Sequence, residues 1–328
     1  MGLAAGFKFL KTRSSVLSWK PTGKLQQTVA NCVERTGRGL HSGDISTVRI
    51  LPAAPRVGRY FSFQSNVIRA SIDNAVKETP LCTTLSKDGY SVSTVEHLLS
   101  ALEASGVDNC CIEIAGSGDC DRSVEVPIFD GSAREWVEAI DQAGLKVAVD
   151  RDGKSCEKLA PYLNEPVHVT NNDSFLAAFP YSKVNITYGI DFPQAPAIGR
   201  QWFSSTLLDE SFYSKQIASS RTFCIYEEVE HMRNLGLIKG GSAETAIICS
   251  MSGGWLNPPL RYHDEACRHK VLDLIGDISL LAQDGNQGLL VAHIVAYKAG
   301  HALHTEFVRC ISGVGQKNGT FASEELTT

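Results

Sequence analysis

At 328 residues the chain is long enough to bury a large core, and length alone suggests about two domains. It is 43% hydrophobic and 20% charged, as globular chains are, and no apolar run is long enough for a membrane-spanning helix; "GLLVAHIVAY" is interrupted by His293 and reads as a buried strand. Of the 31 basic residues, five (Lys8, Lys11, Arg13, Lys20, Lys24) precede the first acid, Glu34, which leaves 26 against 36 acidic residues and excludes a general nucleic-acid binder.

The opening "MGLAAGFKFLKTRSSVLSWKPTGK" combines basic residues, serines and scattered Leu and Phe with no acid and no continuous apolar stretch for secretion. Residues 1–24 therefore read as an organelle transit peptide, with the mitochondrion as expected destination and the plastid as alternative. Ten cysteines occur without a CxxC pair, and Cys110 and Cys111 are adjacent, which predicts reduced thiols rather than a disulfide framework or a cysteine zinc site.

After the leader, "QQTVANCVERTGRGLHSGDISTVRILPA" alternates polar and apolar residues around the glycine-rich turn Gly37 to Gly43 and predicts a hairpin. Val95, Leu98, Leu99 and Leu102 recur at helical spacing over 95–105, stop at Gly106, and give way to the strand "NCCIEI". From about Lys154 a similar order begins again. "EPVHVT", "FLAAFP" and "VNITYGIDF" read as strands, helical stretches follow, and a helix containing "RHKVLDLIGD" leads through "QDGNQG" into "LLVAHIVAY". This order predicts an α+β protein of two related domains, 25–152 and 153–328, each a β-sheet layer packed with helices; the polar stretch 149–158 is the expected boundary.

On the helix of "RHKVLDLIGD", His269, Asp273 and Asp277 fall within about 80° of one another, opposite Val271, Leu272, Leu274, Ile275 and Ile278. Either this line is a solvated polar face with a salt-bridged histidine, or it presents ligands. A hydrolytic zinc site needs three nitrogen or oxygen ligands, one open position for water, and a carboxylate to take that water's proton. His97, His269 and Asp273 offer such ligands, with Glu96 as the base. Ser93 and Glu96 also have the spacing of a capping box, which is the structural alternative for Glu96.

Further along, His301 in "YKAGHALHTEF" follows a strand and a glycine, where a histidine can protonate a leaving amine or hold positive charge beside an oxyanion. Asp277, one helical turn beyond Asp273, can keep that histidine charged and oriented. Thr222 in "SRTFC" offers a hydroxyl to an oxyanion, and "LGLIKGGS" offers a glycine loop that is otherwise only a turn. His304, His231 and His168 read as surface or packing residues.

Taken together, "GRGLHSG", "STVEHLLSAL", "VPIFDGSA", "SRTF", "GLIKGGS", "LRYHDEACRHKVLDLIGD" and "YKAGHAL" occur in the order found in UDP-3-O-acyl-N-acetylglucosamine deacetylases, zinc amidases of lipid A biosynthesis. The resemblance spans about residues 25–310. It implies His97, His269 and Asp273 as Zn2+ ligands, Glu96 as general base, His301 as a charged histidine with Asp277 as its partner, and Thr222 at the tetrahedral intermediate. It also implies Lys270 and Lys298 beside the sugar nucleotide, Phe192 lining the substrate site, and two similar α+β domains packed face to face, each with an insert. The second insert, about 224–255, is expected to form a passage for the acyl chain, with Ile225, Leu235, Leu237, Ile238, Ile247 and Ile248 to line it or simply to pack. The implied partner is a small acylated UDP-sugar, with the oligomeric state left open.

Departures from the family pattern are confined to "QAPAIG", where a histidine often precedes "PAIG", to the prolines of "NPPLRYHDE", and to the basic leader, which bacterial members lack and which suggests a plant enzyme. Another zinc hydrolase would share the metal set but would not need an acyl passage. A non-catalytic relative would be expected to have lost Glu96, a ligand or His301, and all are present.

Overall fold

The computed structural model describes residues 16–77, 81–116, 122–205, 210–234, 236–257 and 259–313. The protein is α+β. Six helices accompany the strands among these residues: α1 (Glu96–Ala104), α2 (Arg134–Ala143), α3 (Glu210–Gln216), α4 (Tyr226–Asn234), α5 (Glu265–Ile278) and α6 (His301–Ser312).

Two five-stranded sheets carry the architecture, and they share one topology. In the first, the order is Val33–Arg38, Ile45–Pro52, Cys110–Gly116, Arg59–Phe63, Asn66–Arg69; in the second it is Val167–Asn171, Ser174–Pro180, Ala292–Tyr297, Asn185–Phe192, Gly199–Ser205. Each sheet is built from two antiparallel hairpins, and the last strand in sequence inserts between them, antiparallel to one neighbour and parallel to the other. Each inserted strand is preceded by a helix (α1 or α5) and followed by another (α2 or α6), because a parallel connection requires a crossover. The repeat in the sequence order is thus a repeat in topology.

Period-two burial explains the sheets locally. Ser46, Val48 and Ile50 are buried while Thr47 and Arg49 face outward, and Ile186, Tyr188 and Ile190 do the same in the second sheet. The inner faces and helices merge into one hydrophobic cluster running from Val29 to Ile311. The hairpin expected around Gly37 to Gly43 is present, with Val33 paired to Ile50 and Arg38 to Ile45.

Each half carries a further three-stranded sheet. One joins Leu85–Lys87, Tyr90–Ser93 and Ser123–Glu125; the other joins Phe223–Ile225, Ile247–Ser250 and Gly254–Trp255, with α4 between its first two strands. Of the leader expected over 1–24, residues 1–15 lie outside the described residues. Leu17–Leu25, however, is a strand paired with Glu157–Leu163, with Lys20 over the Tyr162 ring. Lysines that read as part of a leader also suit an exposed two-stranded ribbon, where charge discourages edge pairing. The described cysteines are free thiols. Among the described residues no helix is long and apolar enough to cross a membrane.

Candidate active site

Helices α1 and α5 cross in contact, and Gly276 makes the crossing possible. A Cβ there would lie 2.1 Å from the carbonyl oxygen of Glu96. Glycine costs a helix about 1 kcal/mol relative to alanine, so the close approach has to outweigh that loss. Gly276→Ala is therefore expected to destabilise the protein, by about 1–3 kcal/mol, although alanine is the better helix former. A urea midpoint at or above that of the native protein would refute the tight crossing.

The crossing brings Glu96 and His97 of α1 against His269, Asp273 and Asp277 of α5, and all five side chains are buried. The polar line on α5 is not a solvated face: it looks onto α1 and α6. Nor does Glu96 cap its helix. Val95 occupies the N-cap without a side-chain bond, Ser93 Oγ reaches the Val124 carbonyl instead, and Glu96 Oε2 accepts the Thr83 amide at 2.9 Å. The chain enters α1 through Thr94 at φ 58, a costly conformation for a β-branched residue, held by its hydroxyl bond to Glu125.

His97, His269 and Asp273 converge with the chemistry of a cation site. His269 Nδ1 lies 3.0 Å from the Ser220 carbonyl, which can only accept, so Nδ1 carries the proton and Nε2 presents its lone pair. That lone pair faces Asp273 Oδ1 at 3.2 Å, and His97 Nε2 stands 3.5 Å from the same oxygen. Asp273 Oδ1 is buried without a hydrogen-bond donor. Three electron-pair donors within 4.8 Å, closed off from water, fit a divalent metal ion.

Beside this set stands a second group. Asp277 Oδ2 lies 2.8 Å from His301 Nδ1, and His301 Nε2 points back toward Glu96 Oε1 at 4.0 Å and Asp273 Oδ2 at 3.8 Å. Burial by itself would push the His301 imidazole down, but the carboxylates of Asp277, Asp273 and Glu96 outweigh it and raise its pKa to about 9. Burial raises the Glu96 carboxyl, with His301 and His97 opposing. Asp277 is held below the usual range because its histidine partners overcome the cost of burial.

The other expected residues divide. Lys270 Nζ is 2.8 Å from Asp273 Oδ2 and sits over the Phe223 ring, and Phe192 meets that ring edge-on at 5.3 Å. Thr222 lines the cavity described below. Lys298 is not gathered with the others: its ammonium pairs with Asp173 at the sheet edge. Sequence patterning does not single out Thr83, which touches both Glu96 and Asp277, or His304, which reads as a surface or packing residue but is fully buried with Nδ1 2.8 Å from Asp277 Oδ2. Its position three residues after His301 on α6 was the available signal.

A cavity of about 210 Å3 opens beside Thr222, lined by Leu40, Phe223, Ile225, Met232, Ile238 and Ile248. Of the residues expected to line a passage, Ile247 belongs instead to the fully buried set, Leu237 is exposed and Leu235 lies outside the described residues. The "GGS" loop is more than a turn. Gly240 donates to the Leu40 carbonyl at 3.0 Å and Lys239 to the His41 carbonyl at 3.2 Å, and a Cβ on Gly240 would lie 2.0 Å from the Gly39 oxygen. The glycine-rich loop of the first half, anchored by Glu125 through the His41 and Ser42 amides, thus docks on the loop of the second half.

The family model for UDP-3-O-acyl N-acetylglycosamine deacetylase matches residues 26–312. The chain is 60% identical over 296 residues to the Arabidopsis thaliana "Probable UDP-3-O-acyl-N-acetylglucosamine deacetylase 1, mitochondrial", covering 90% of each chain. It is also 44% identical over 292 residues to the UDP-3-O-acyl-N-acetylglucosamine deacetylase of Trichormus variabilis, with 87% of this chain and 98% of that one covered. The corresponding protein of Thermosynechococcus vestitus is 42% identical over 290 residues, with 88% and 94% covered. With matches of this extent running through every element that builds the site, the chain belongs to the UDP-3-O-acyl N-acetylglycosamine deacetylase family.

Proposed function

We propose that the protein hydrolyses the N-acetyl group of UDP-3-O-acyl-N-acetylglucosamine in a zinc-dependent reaction, releasing acetate and UDP-3-O-acyl-glucosamine. The observation that carries this reading is the buried Asp273 oxygen, unpartnered and faced by two histidine nitrogens, with Glu96 and His301 beside it. A zinc ion held by His97, His269 and Asp273 would supply Lewis acidity toward the amide carbonyl and the attacking water. Glu96, its carboxyl raised by burial and anchored by the Thr83 amide, takes the water's proton. His301, charged at neutral pH and held by Asp277, directs an N–H at the tetrahedral oxyanion and the departing nitrogen, with the Thr222 hydroxyl as a further donor. The amide C–N bond breaks as that nitrogen gains a proton. Lys270 serves the sugar nucleotide, Phe192 flanks it, and the apolar cavity receives the 3-O-acyl chain.

The test is acetate release from this substrate by protein covering residues 16–328, before chelation, after it, and after zinc is restored. Release should vanish and return, and it should fail on the sugar nucleotide lacking the acyl chain. No release from folded, zinc-loaded protein would overturn the reading.

We further propose that the protein works in the mitochondrion, as the name of the Arabidopsis relative says of that protein. A fluorescent fusion of residues 1–35 is expected to enter mitochondria, and diffuse or plastid signal would refute this.

A further inference from the structure

His304 has no part in the reaction just described, yet it is buried and its ring is engaged at both nitrogens. Its Nδ1 lies 2.8 Å from Asp277 Oδ2, the same oxygen that lies 2.8 Å from His301 Nδ1. Its Nε2 lies 2.9 Å from the Tyr188 hydroxyl, which also lies 2.7 Å from the Ala299 carbonyl oxygen. Asp277 Oδ1 accepts the Thr83 hydroxyl at 2.5 Å. An ionised carboxylate only accepts, so both imidazoles must present Nδ1–H to Asp277. Asp277, His301 and His304 therefore form a hydrogen-bonded group rather than a second cation site, because the nitrogens that would bind a cation are spent as donors.

Three donors hold a carboxylate that has no contact with water. Two of them, Thr83 and His304, do not react. Remove His304, and Oδ2 keeps one donor and gains a void beside it, so the carboxylate can turn and the ring it steers can turn with it.

We propose that His304 is a positioning residue: by sharing Asp277 Oδ2 with His301 it fixes the plane of that carboxylate, and so keeps His301 Nε2 turned toward Glu96. Tyr188, rooted in the inner strand Asn185–Phe192 beside the central one, in turn fixes the His304 ring. This rests on the role given to His301 above.

The experiment compares His304→Leu, His304→Asn, Tyr188→Phe and His301→Gln in the zinc-loaded chain, by steady-state kinetics on UDP-3-O-acyl-N-acetylglucosamine, metal content and low-field proton NMR. Leucine fills the volume without a donor, whereas asparagine can place an N–H near the position of Nδ1. His304→Leu should lower kcat about tenfold or more with KM within about twofold and metal content unchanged, and His304→Asn should recover kcat to within about threefold of native. Two low-field imidazole N–H resonances are expected in the native protein and one in His304→Leu.

Native kcat in His304→Leu, a loss confined to KM, or asparagine no better than leucine would overturn the proposal. If His304→Leu does not fold, Tyr188→Phe decides: a fall in kcat at constant KM supports the proposal and native kcat overturns it. Native turnover in His301→Gln would overturn the role of His301 and this inference with it. A dead His301→Gln beside a fully active His304→Leu would overturn this inference alone.

Discussion

Glu96→Gln should bind metal as the native protein does and lose roughly a hundred- to ten-thousandfold in turnover, the range spanned by removal of a general base. The side chain keeps its size, and its oxygen can still accept the Thr83 amide, so the entry to α1 should stand. What disappears is a carboxylate whose pKa burial raises, with the charged His301 only partly opposing that shift. A base must be deprotonated to act. Native turnover should therefore fall as pH drops through the raised Glu96 pKa, and the glutamine variant should lack that limb. Metal content by elemental analysis and a pH profile of acetate release check both halves, and full activity in Glu96→Gln would remove Glu96 from the chemistry.

His269→Ala should lose metal and turnover together. The imidazole is one of three donors, and the Ser220 carbonyl holds it in the tautomer that offers Nε2 to the site. Perturbing even the partner that orients such a ligand costs about 10–100-fold in affinity or activity, so loss of the ligand itself should exceed that. The variant should also respond less to chelation. A native protein that binds metal only when folded loses stability on its removal, and His269→Ala should melt at nearly the same temperature with and without chelator. Stoichiometric metal in this variant would transfer the site to other residues. Read side by side, the two variants separate binding from proton transfer, since both are inactive and only one is empty.

Much of the fold was legible because local patterning and tertiary demand coincide. The alternation around Gly37 to Gly43 fixes a hairpin whose inner residues Val48 and Ile50 are fully buried, and the apolar spacing from Val95 to Leu102 fixes α1. The repeated order of strands, helix and strand was visible as well, and it returns as two sheets of one topology. The strand Leu17–Leu25 was not, because its lysines are as compatible with an exposed ribbon as with a leader.

By itself the sequence determined which side chains are available to the candidate site. Glu96 beside His97, His269 four residues before Asp273, Asp277 one turn on, and His301 after a strand are identities and spacings that a backbone period can place on one face. Only the tertiary structure decided which alternative each residue takes. Glu96 reaches the Thr83 amide rather than its own helix end, because the crossing at Gly276 carries it into the interior. His304 becomes a partner of Asp277, and Lys298 turns to Asp173, because the order of strands in the second sheet sets which groups each meets. The physical reason is range: helical and strand periods act over a few residues, whereas Thr83 and Asp277, in hydrogen-bond contact, are 194 residues apart in the chain.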